Sequence, residues 1–194
     1  HVVDVSKRMW GAVRGIARYG VVVPRRIHAY VDPRRFVAGT VGMPGERTFF
    51  LQATGGDSVT SVSLEKAQVA LLADRLEALL TEAGVMAEPF ADDNDPLTVP
   101  LDEEFRVGTL GIAWLPEPGA VLVEAHAIGD DEAAEPGEDD TGAPDTLRVT
   151  LSPAAATAFI RRARALVSAG RPPCPFCVQP LDPAGHVCPR SNGY

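Results

Sequence analysis

The sequence predicts an α+β fold in which antiparallel strands form one or two sheets and two helices pack against them. Three observations predict it. Short runs rich in β-branched residues are separated by turn sequences, two stretches show helical spacing of apolar residues, and the order strand, strand, strand, helix occurs twice. With 194 residues, 45% of them hydrophobic, the chain is long enough to bury one core, so we expect a single compact domain.

The first half of the chain contains four predicted strands followed by a helix. The strands are bounded by Asp-Pro, Met-Pro-Gly and Gly-Gly-Asp turns, which are typical of hairpins, and they cover residues 27–31, 36–41, 48–53 and 59–64. The helix is indicated by apolar residues three and four positions apart, namely Val69, Leu72, Leu76, Leu79 and Ala83. Ser63 is the expected N-cap of this helix, and Gly84 is expected to end it.

The second half repeats this order after an acidic loop at residues 88–104. Its strands are predicted at 105–115, 120–128 and 147–151. The helix that follows is expected to begin with Ser152 as its cap and Pro153 at the first helical position. Residues 129–145 carry eight carboxylates and little apolar surface, so we interpret them as a second, solvated loop.

The two halves also resemble each other in sequence. Residues 36–42 and 105–111 are identical at four of seven positions. We infer two duplicated βββα units, at about 27–84 and about 103–170, within a domain that spans 23–171. The units either share one sheet with both helices on a single face or form two facing halves; the alternative is that strand-turn-strand segments look alike by composition alone. Helices on one face would leave the other face of the sheet free for a ligand or partner.

Composition and charge restrict the partners and the location. The net charge is −8 and the pI is near 5.0, which argues against nucleic acid or an anionic membrane as a partner. No apolar run approaches the roughly 20 residues of a membrane span. Residues 1–22 are basic and interrupted by glycines but hold no signal-peptide core, and we interpret them as a flexible extension or one foreign to the native protein. We therefore expect a soluble protein. The odd number of cysteines, two of them in a Cys-x-x-Cys pair near a histidine, argues against a secreted disulfide framework and predicts a reducing compartment, the cytoplasm.

The C-terminal segment, residues 172–194, contains all three cysteines and a histidine within a short stretch. Cys174 and Cys177 form a Cys-x-x-Cys pair, and His186 and Cys188 follow after a turn-rich spacer. Zinc prefers such sulfur and nitrogen ligands in a tetrahedron, and four protein ligands leave no open position for a catalytic water. The sequence therefore predicts a Cys3His knuckle with one structural zinc per chain.

Two alternatives to zinc are a redox dithiol and cysteines without a metal. Thioredoxin-like Cys-Pro-x-Cys motifs follow a strand and open a helix, where the helix end lowers a thiol pKa. Here the motif instead follows a completed helix and Arg-Pro-Pro, which favours zinc.

A second candidate site is weaker and consists of charged residues of the first unit. Arg35, Arg47 and Lys66, with Glu65, are suited to binding a phosphate or carboxylate, because arginine forks bind such groups in a bidentate manner. The alternative is that these side chains are the solvated ends of hairpins and of a surface helix. The sequence contains no nucleophile elbow, kinase signature or dinucleotide fingerprint, so these motifs assign no catalytic residue.

Several sequence blocks resemble an actinobacterial conserved-hypothetical family, domain of unknown function 3090. The blocks are residues 35–52, 63–66, 103–109, 170–177 and 189–194. The resemblance covers about residues 23–194 and implies a cytoplasmic actinobacterial protein, without implying a reaction. Family members begin near Pro24, and they have glycine where this chain has Val178.

Three functions are compatible with these features. The first is a non-catalytic binding or adaptor module that recognises a protein or an anionic small molecule. The second is an enzyme acting on a phosphorylated or carboxylated substrate, with Arg35 and Arg47 binding the anion and Glu65 or Glu104 transferring protons. The third is nucleic-acid binding through the knuckle and five arginines, namely Arg161, Arg162, Arg164, Arg171 and Arg190, which the acidic composition disfavours.

Overall fold

The structure is a computed structural model that describes residues 25–43, 45–88, 90–129, 144–169, 174–177, 181, 188 and 190. The described residues form seven strands and two helices. The elements are β1 (Ile27–Val31), β2 (Arg35–Val41), β3 (Thr48–Gly55), β4 (Ser58–Leu64), α1 (Lys66–Glu82), β5 (Glu103–Leu115), β6 (Ala120–Ala127), β7 (Thr146–Leu151) and α2 (Pro153–Ser168). The predicted extension at 1–22 and most of the second acidic loop lie outside the described residues. No helix among the described residues is long and apolar enough to cross a membrane.

All seven strands belong to one sheet with the order β1-β7-β6-β5-β4-β3-β2. Four pairings are antiparallel as predicted, but β4 with β5 and β1 with β7 are parallel. The fully antiparallel prediction was therefore wrong. The β4/β5 pair is parallel because α1 returns the chain to the side of the sheet where β4 began. β1 forms no hairpin with β2 because its backbone is bonded to β7, as in the bond from Asp32 N–H to Thr150 O (2.9 Å).

The order strand, strand, strand, helix occurs twice, as β2-β3-β4-α1 and as β5-β6-β7-α2. β1 precedes the first set and lies at the far edge of the sheet, beside the last strand. This element order is the one that the sequence predicted, whereas a common origin of the two sets stays a prediction.

The core lies between one face of the sheet and both helices. Alternate residues of the strands, such as Phe49 and Leu51 in β3, point into a cluster that also contains Leu76 of α1 and Phe159 of α2. The rings of Phe159 and Phe36 stack with centroids 4.9 Å apart, which joins α2 to the edge strand β2. Both helices therefore pack on a single face, one of the two predicted arrangements.

The starts of the two helices differ in how well they were predicted. Ser152 accepts a hydrogen bond from Ala155 N–H (3.3 Å) and caps α2 as expected. Ser63 does not cap α1, because it belongs to β4 and its hydroxyl donates to Glu103 (2.6 Å). The N-cap of α1 is Glu65, whose N–H donates to the side chain of Gln68 (2.8 Å).

Part of the other face of the sheet, over β2 and β3, is covered by residues 90–102, which we call the strap. The side chain of Gln52 in β3 is fully buried and exchanges two hydrogen bonds with the backbone of Thr98 (2.8 and 3.0 Å). Leu97 packs directly on Gly39, where a Cβ atom would lie 2.5 Å from Leu97 Cδ2. The expectation of a wholly free face was therefore wrong, because part of the first acidic loop pairs with that face.

Candidate metal centre

The three cysteines of the chain converge at the C-terminal end of the described residues. The Sγ atoms of Cys174, Cys177 and Cys188 all lie within 4.8 Å of one another. Cys174 and Cys188 are buried, and Cys177 is partly exposed. The Cys-x-x-Cys turn supplies two of the sulfur atoms, and the chain returns to place the third beside them.

The sulfur separations fit a shared ion better than a disulfide. Cys174 Sγ and Cys188 Sγ are 3.8 Å apart. Two ligands at the Zn–S distance of about 2.3 Å in a tetrahedron are separated by about 3.8 Å, whereas a disulfide requires about 2.05 Å. The donor set and its spacing therefore fit a tetrahedral thiolate site, which would take zinc or another thiophilic metal.

The local backbone favours the thiolate form of Cys174. Backbone N–H groups of Cys177 and, to a smaller extent, Phe176 point at its sulfur and lower its pKa to about 6. The thiolate is the form that binds metals. Pro175–Cys177 is a turn and not the first turn of a helix, so the helix end that activates redox dithiols is missing from these residues. The predicted fourth ligand, His186, lies outside the described residues.

Residues 28–188 match the family described as Protein of unknown function (DUF3090). The chain belongs to this family. The match begins in β1 and ends at the last cysteine, so the DUF3090 region includes both helices and the whole cysteine cluster. No curated protein and no solved structure matches the chain.

Arg35, one of the predicted anion-binding residues of this DUF3090 protein, is already engaged by the strap. Its Nε and Nη2 atoms donate to the two carboxylate oxygens of Asp93 (2.5 and 3.0 Å). Its remaining donors reach the carbonyls of Asp95 (2.7 Å) and Pro96 (3.0 Å). Asp93 thus occupies the position that the sequence prediction gave to an external anion.

Arg162 of α2 holds the same carboxylate from the other side. It donates to Asp93 Oδ1 (2.9 Å), to the Asp93 carbonyl and to Asp95 O (2.8 Å), while its Nε donates to Ala38 O in β2 (2.8 Å). Hydrogen bonding from Arg35 is the main cause that lowers the pKa of Asp93. The two arginines therefore fasten the strap across the β2 edge.

The other two arginines of α2 that were considered for nucleic acid are also paired internally. Arg161 contacts Asp92 (2.5 Å), and Arg164 contacts Glu77 (2.7 Å) and Asp74 (3.0 Å). The contacts with both carboxylates raise the pKa of Arg164 above its usual value. These pairings leave α2 without a free basic face.

Arg47 lies far from Arg35. The two residues flank opposite ends of the β2–β3 hairpin, where Arg35 pairs with Thr54 and Thr48 pairs with Val41. Six residues of strand separate these ends, a distance of about 20 Å. Arg47 donates to Ala169 O (3.2 Å), beyond the end of α2.

Glu65 and Lys66 lie at the same end of the sheet as Arg47, because Leu64 of β4 pairs with Phe49 of β3. Glu65 forms an ion pair with Arg106, and Lys66 begins α1 with no ion pair among the described residues. The structure thus brings Arg47, Glu65 and Lys66 to one end of the sheet and places Arg35 at the other.

Glu104, the candidate for proton transfer, belongs to a polar cluster whose other members, His28, Tyr30 and Thr60, were not predicted as a site. Tyr30 Oη and Thr60 Oγ1 are 2.8 Å apart, Thr60 Oγ1 is 3.4 Å from His28 Nδ1, and His28 Nε2 is 3.9 Å from Glu104 Oε2. The side chains of His28, Tyr30 and Thr60 line a cleft of about 580 Å³. The sequence indicates this cluster only through polar side chains at positions of β1 and β4 that alternate with outward-facing residues, where apolar side chains are usual.

The remaining described histidine, His126, lies on the outward face of β6. Its Nδ1 is 2.9 Å from Thr146 Oγ1, and its Nε2 is 3.7 Å from Glu124, which also pairs with Arg148 (2.6 Å). Burial is the main cause that lowers the pKa of His126, and it outweighs the opposing effect of Glu124. His126 is thus held within strand-to-strand contacts, remote in sequence from the cysteines.

Proposed function

We propose that this DUF3090 protein is a non-catalytic binding or adaptor module of the cytoplasm whose tail is fixed by one structural zinc ion. The ligands in this proposal are Cys174, Cys177, His186 and Cys188. The observation that carries it is the convergence of the three thiol sulfur atoms, two of them at the separation of a tetrahedral zinc site.

A structural role is favoured over a catalytic one for two reasons. Three thiolates and one imidazole complete the tetrahedral shell of zinc and leave no position for an activated water. Two of the three cysteines are also buried, which keeps substrates away from their sulfur atoms. The ion would therefore serve to hold the tail together.

A binding module is favoured over an enzyme because the predicted anion-binding residues do not form a site for a substrate. Arg35 and Arg162 are saturated by Asp93 and by carbonyls of the strap, and Arg47 lies at the other end of the hairpin. No substrate phosphate is needed to neutralise the first two groups. The three cysteines form no disulfide with one another, which supports a reducing compartment and is the reason for proposing the cytoplasm.

We also infer that the two βββα sets are duplicated units. The seven-residue segments with four identities fall in β2 and β5, which are the first strands of their respective sets. A shared position in a repeated element order supports descent from one ancestral unit.

Metal analysis tests the zinc proposal directly. Tag-free protein analysed by inductively coupled plasma mass spectrometry is expected to contain one zinc per chain. The Cys188→Ser and His186→Ala variants are expected to lose most of it, because each lacks one of four ligands. His126→Ala is the matched control and should retain full occupancy. Full retention of zinc by Cys188→Ser would show that the ion is bound elsewhere.

The redox alternative gives a different result in the same samples. Alkylation followed by mass spectrometry reports the oxidation state of each cysteine. A zinc site predicts three reduced thiols that become reactive only after the metal is removed. A Cys174–Cys177 disulfide in protein trapped directly from cells would favour the dithiol instead.

A further inference from the structure

The loop that joins β1 to β2 carries two charged side chains, Asp32 and Arg34, on either side of Pro33. The backbone N–H of Asp32 donates to Thr150 O (2.9 Å), which fixes the start of the loop. In the described part of the chain, neither the Asp32 carboxylate nor the Arg34 guanidinium has a hydrogen bond or an ion pair, and the two groups do not pair with each other. Both charges are therefore available to a ligand.

The backbone of Asp32 is strained. Its φ is 48°, in the left-handed region, and it is the one residue other than glycine with a positive φ among the described residues. The following Pro33 adds to the strain, because a residue before proline prefers an extended conformation. Aspartate usually tolerates the left-handed region by bonding its side chain to the nearby backbone, but the described contacts of Asp32 include no such bond. Strain at a residue whose side chain makes no internal contact indicates a role towards a ligand.

Asp32 and Arg34 line the cleft of about 580 Å³, together with the end of the β3–β4 hairpin. This volume lies within the range of small-molecule sites, about 300–1,000 Å³. The two residues are two positions apart, so their Cα atoms are separated by at most about 7 Å and both side chains can reach one small ligand. The loop follows the C-terminal end of β1, the opposite end from the one that continues into residues 1–24.

The buried residues that line the cleft, Tyr30 and Thr60, offer hydrogen-bond acceptors. His28 Nε2 is 3.9 Å from Glu104 Oε2, which places the ring proton on Nε2 and makes Nδ1 an acceptor. Thr60 then donates to His28 Nδ1 (3.4 Å), and Tyr30 donates to Thr60 (2.8 Å). Both hydroxyl protons are used in this way, so the oxygen lone pairs are left to accept a hydrogen bond from a ligand.

We propose that this cleft binds a small zwitterion of the amino-acid class, either a free α-amino acid or a dipeptide. Asp32 binds the ammonium group of the ligand, and Arg34 binds its carboxylate. The oxygen atoms of Tyr30 and Thr60 accept a hydrogen bond from a donor on the ligand side chain. The inference rests on the proposed role as a binding module and names its ligand, but it is independent of the zinc.

The charges of the cleft favour a zwitterion over a simple anion. Asp32 and Arg34 supply one carboxylate and one guanidinium to the lining. A phosphate or a dicarboxylate would be attracted by Arg34 but repelled by Asp32, and a simple cation would meet the opposite problem. A ligand that carries both charges satisfies both residues at once.

The probes are L-threonine, L-serine, L-glutamine and L-asparagine, each as the free amino acid and as its glycyl dipeptide. Isothermal titration calorimetry on the full chain is expected to show saturable binding of at least one probe at millimolar concentration or below. The N-acetyl form lacks the ammonium group and the carboxamide form lacks the carboxylate, so each should bind about tenfold more weakly or worse. L-valine, which has the shape of threonine without its hydroxyl, should bind more weakly than L-threonine.

Two variants test which residues bind the charges. Asparagine tolerates the left-handed region, so Asp32→Asn removes the carboxylate and leaves the loop intact. Asp32→Asn and Arg34→Gln should each weaken binding about tenfold or more. The N-acetyl ligand should bind equally to the wild-type chain and to Asp32→Asn, because it has no ammonium group to lose. The controls are Asp57→Asn and Arg75→Gln, at exposed positions that do not line the cleft, and both should bind normally.

Three outcomes would overturn the inference. They are the absence of saturable binding by any probe, binding of the N-acetyl or carboxamide form as tight as that of the free amino acid, and equal weakening by the two variants and their controls. Zinc content measured on the same samples separates the two proposals, because loss of ligand binding with one zinc retained contradicts this inference alone. Chemical conversion of a bound amino acid, followed by proton NMR, would contradict the non-catalytic role and leave the site in place.

Discussion

Replacing Asp93 with asparagine tests whether the strap is fastened by charge. The carboxylate of Asp93 receives hydrogen bonds from Arg35 and from Arg162, whose side chains are only 17% and 15% exposed. Asparagine has nearly the same shape but carries no charge and offers one acceptor oxygen where aspartate offers two. Asp93→Asn therefore leaves two poorly hydrated guanidinium groups without their counter-ion.

The magnitude follows from the degree of burial. Removing one partner of a fully buried ion pair costs about 3–5 kcal/mol, whereas a fully exposed pair contributes about 0–1 kcal/mol. Asp93 is 30% exposed, which places this cluster between the two limits. We expect Asp93→Asn to lower the free energy of unfolding by about 2–3 kcal/mol.

The pH dependence of the free energy of unfolding provides an independent test. The pKa of Asp93 in the folded protein is lowered from its usual 3.8, first through hydrogen bonding from Arg35. A lowered folded-state pKa means that the stabilisation is fully present above the unfolded value of about 4 and disappears as the pH falls through the folded-state pKa. The wild-type chain should therefore lose this contribution below about pH 4, and Asp93→Asn should lack that part of the acid destabilisation.

Urea unfolding measured between pH 7 and pH 3 checks both the magnitude and the sign. The matched control is Asp92→Asn, one residue away, since Asp92 is 58% exposed and pairs with the half-exposed Arg161. We expect a change of no more than about 0.5 kcal/mol for this control. Equal effects of the two substitutions, or a loss for Asp93→Asn that does not shrink in acid, would refute the assignment of the strap to this ion cluster.

Three further outcomes are expected. A strong zinc chelator should make the chain beyond residue 172 accessible to limited proteolysis while the circular dichroism of the sheet persists, and cooperative unfolding of the whole domain would contradict this. Gly39→Ala should lower the unfolding free energy by about 1–3 kcal/mol because its Cβ overlaps Leu97, and Leu97→Ala should relieve most of that loss in a double-mutant cycle. Phe159→Ala should cost about 3–5 kcal/mol, seen as a lower thermal midpoint, because it empties the core beside Phe36.

The elements of this fold that were predicted correctly are specified by neighbouring residues. Ser152 and Pro153 define the start of α2 through one side-chain hydrogen bond and one fixed backbone angle, both within a single turn. The cysteine cluster was likewise foreseeable, because its three members lie within 15 residues of one another. Local chemistry of this kind can be read from spacing alone.

The parallel pairing of β1 was not foreseeable in the same way. The alternation of side-chain character along residues 27–31 predicts a strand and its buried side, but it does not indicate which strand lies beside it. The partner is β7, with Ile27 opposite Thr146, more than a hundred positions further along the chain. Only the closing of the whole sheet around the helices decides that pairing.

The strap shows why charge content is a poor guide to disorder when the partners are remote. Residues 88–104 contain seven carboxylates and no basic residue, and that composition predicts a solvated loop. The arginines that bind Asp93 are 58 and 69 positions away in sequence. The two arginines converge because α2 packs across β2. Arg35 therefore binds a carboxylate of its own chain, Asp93, and not an external anion.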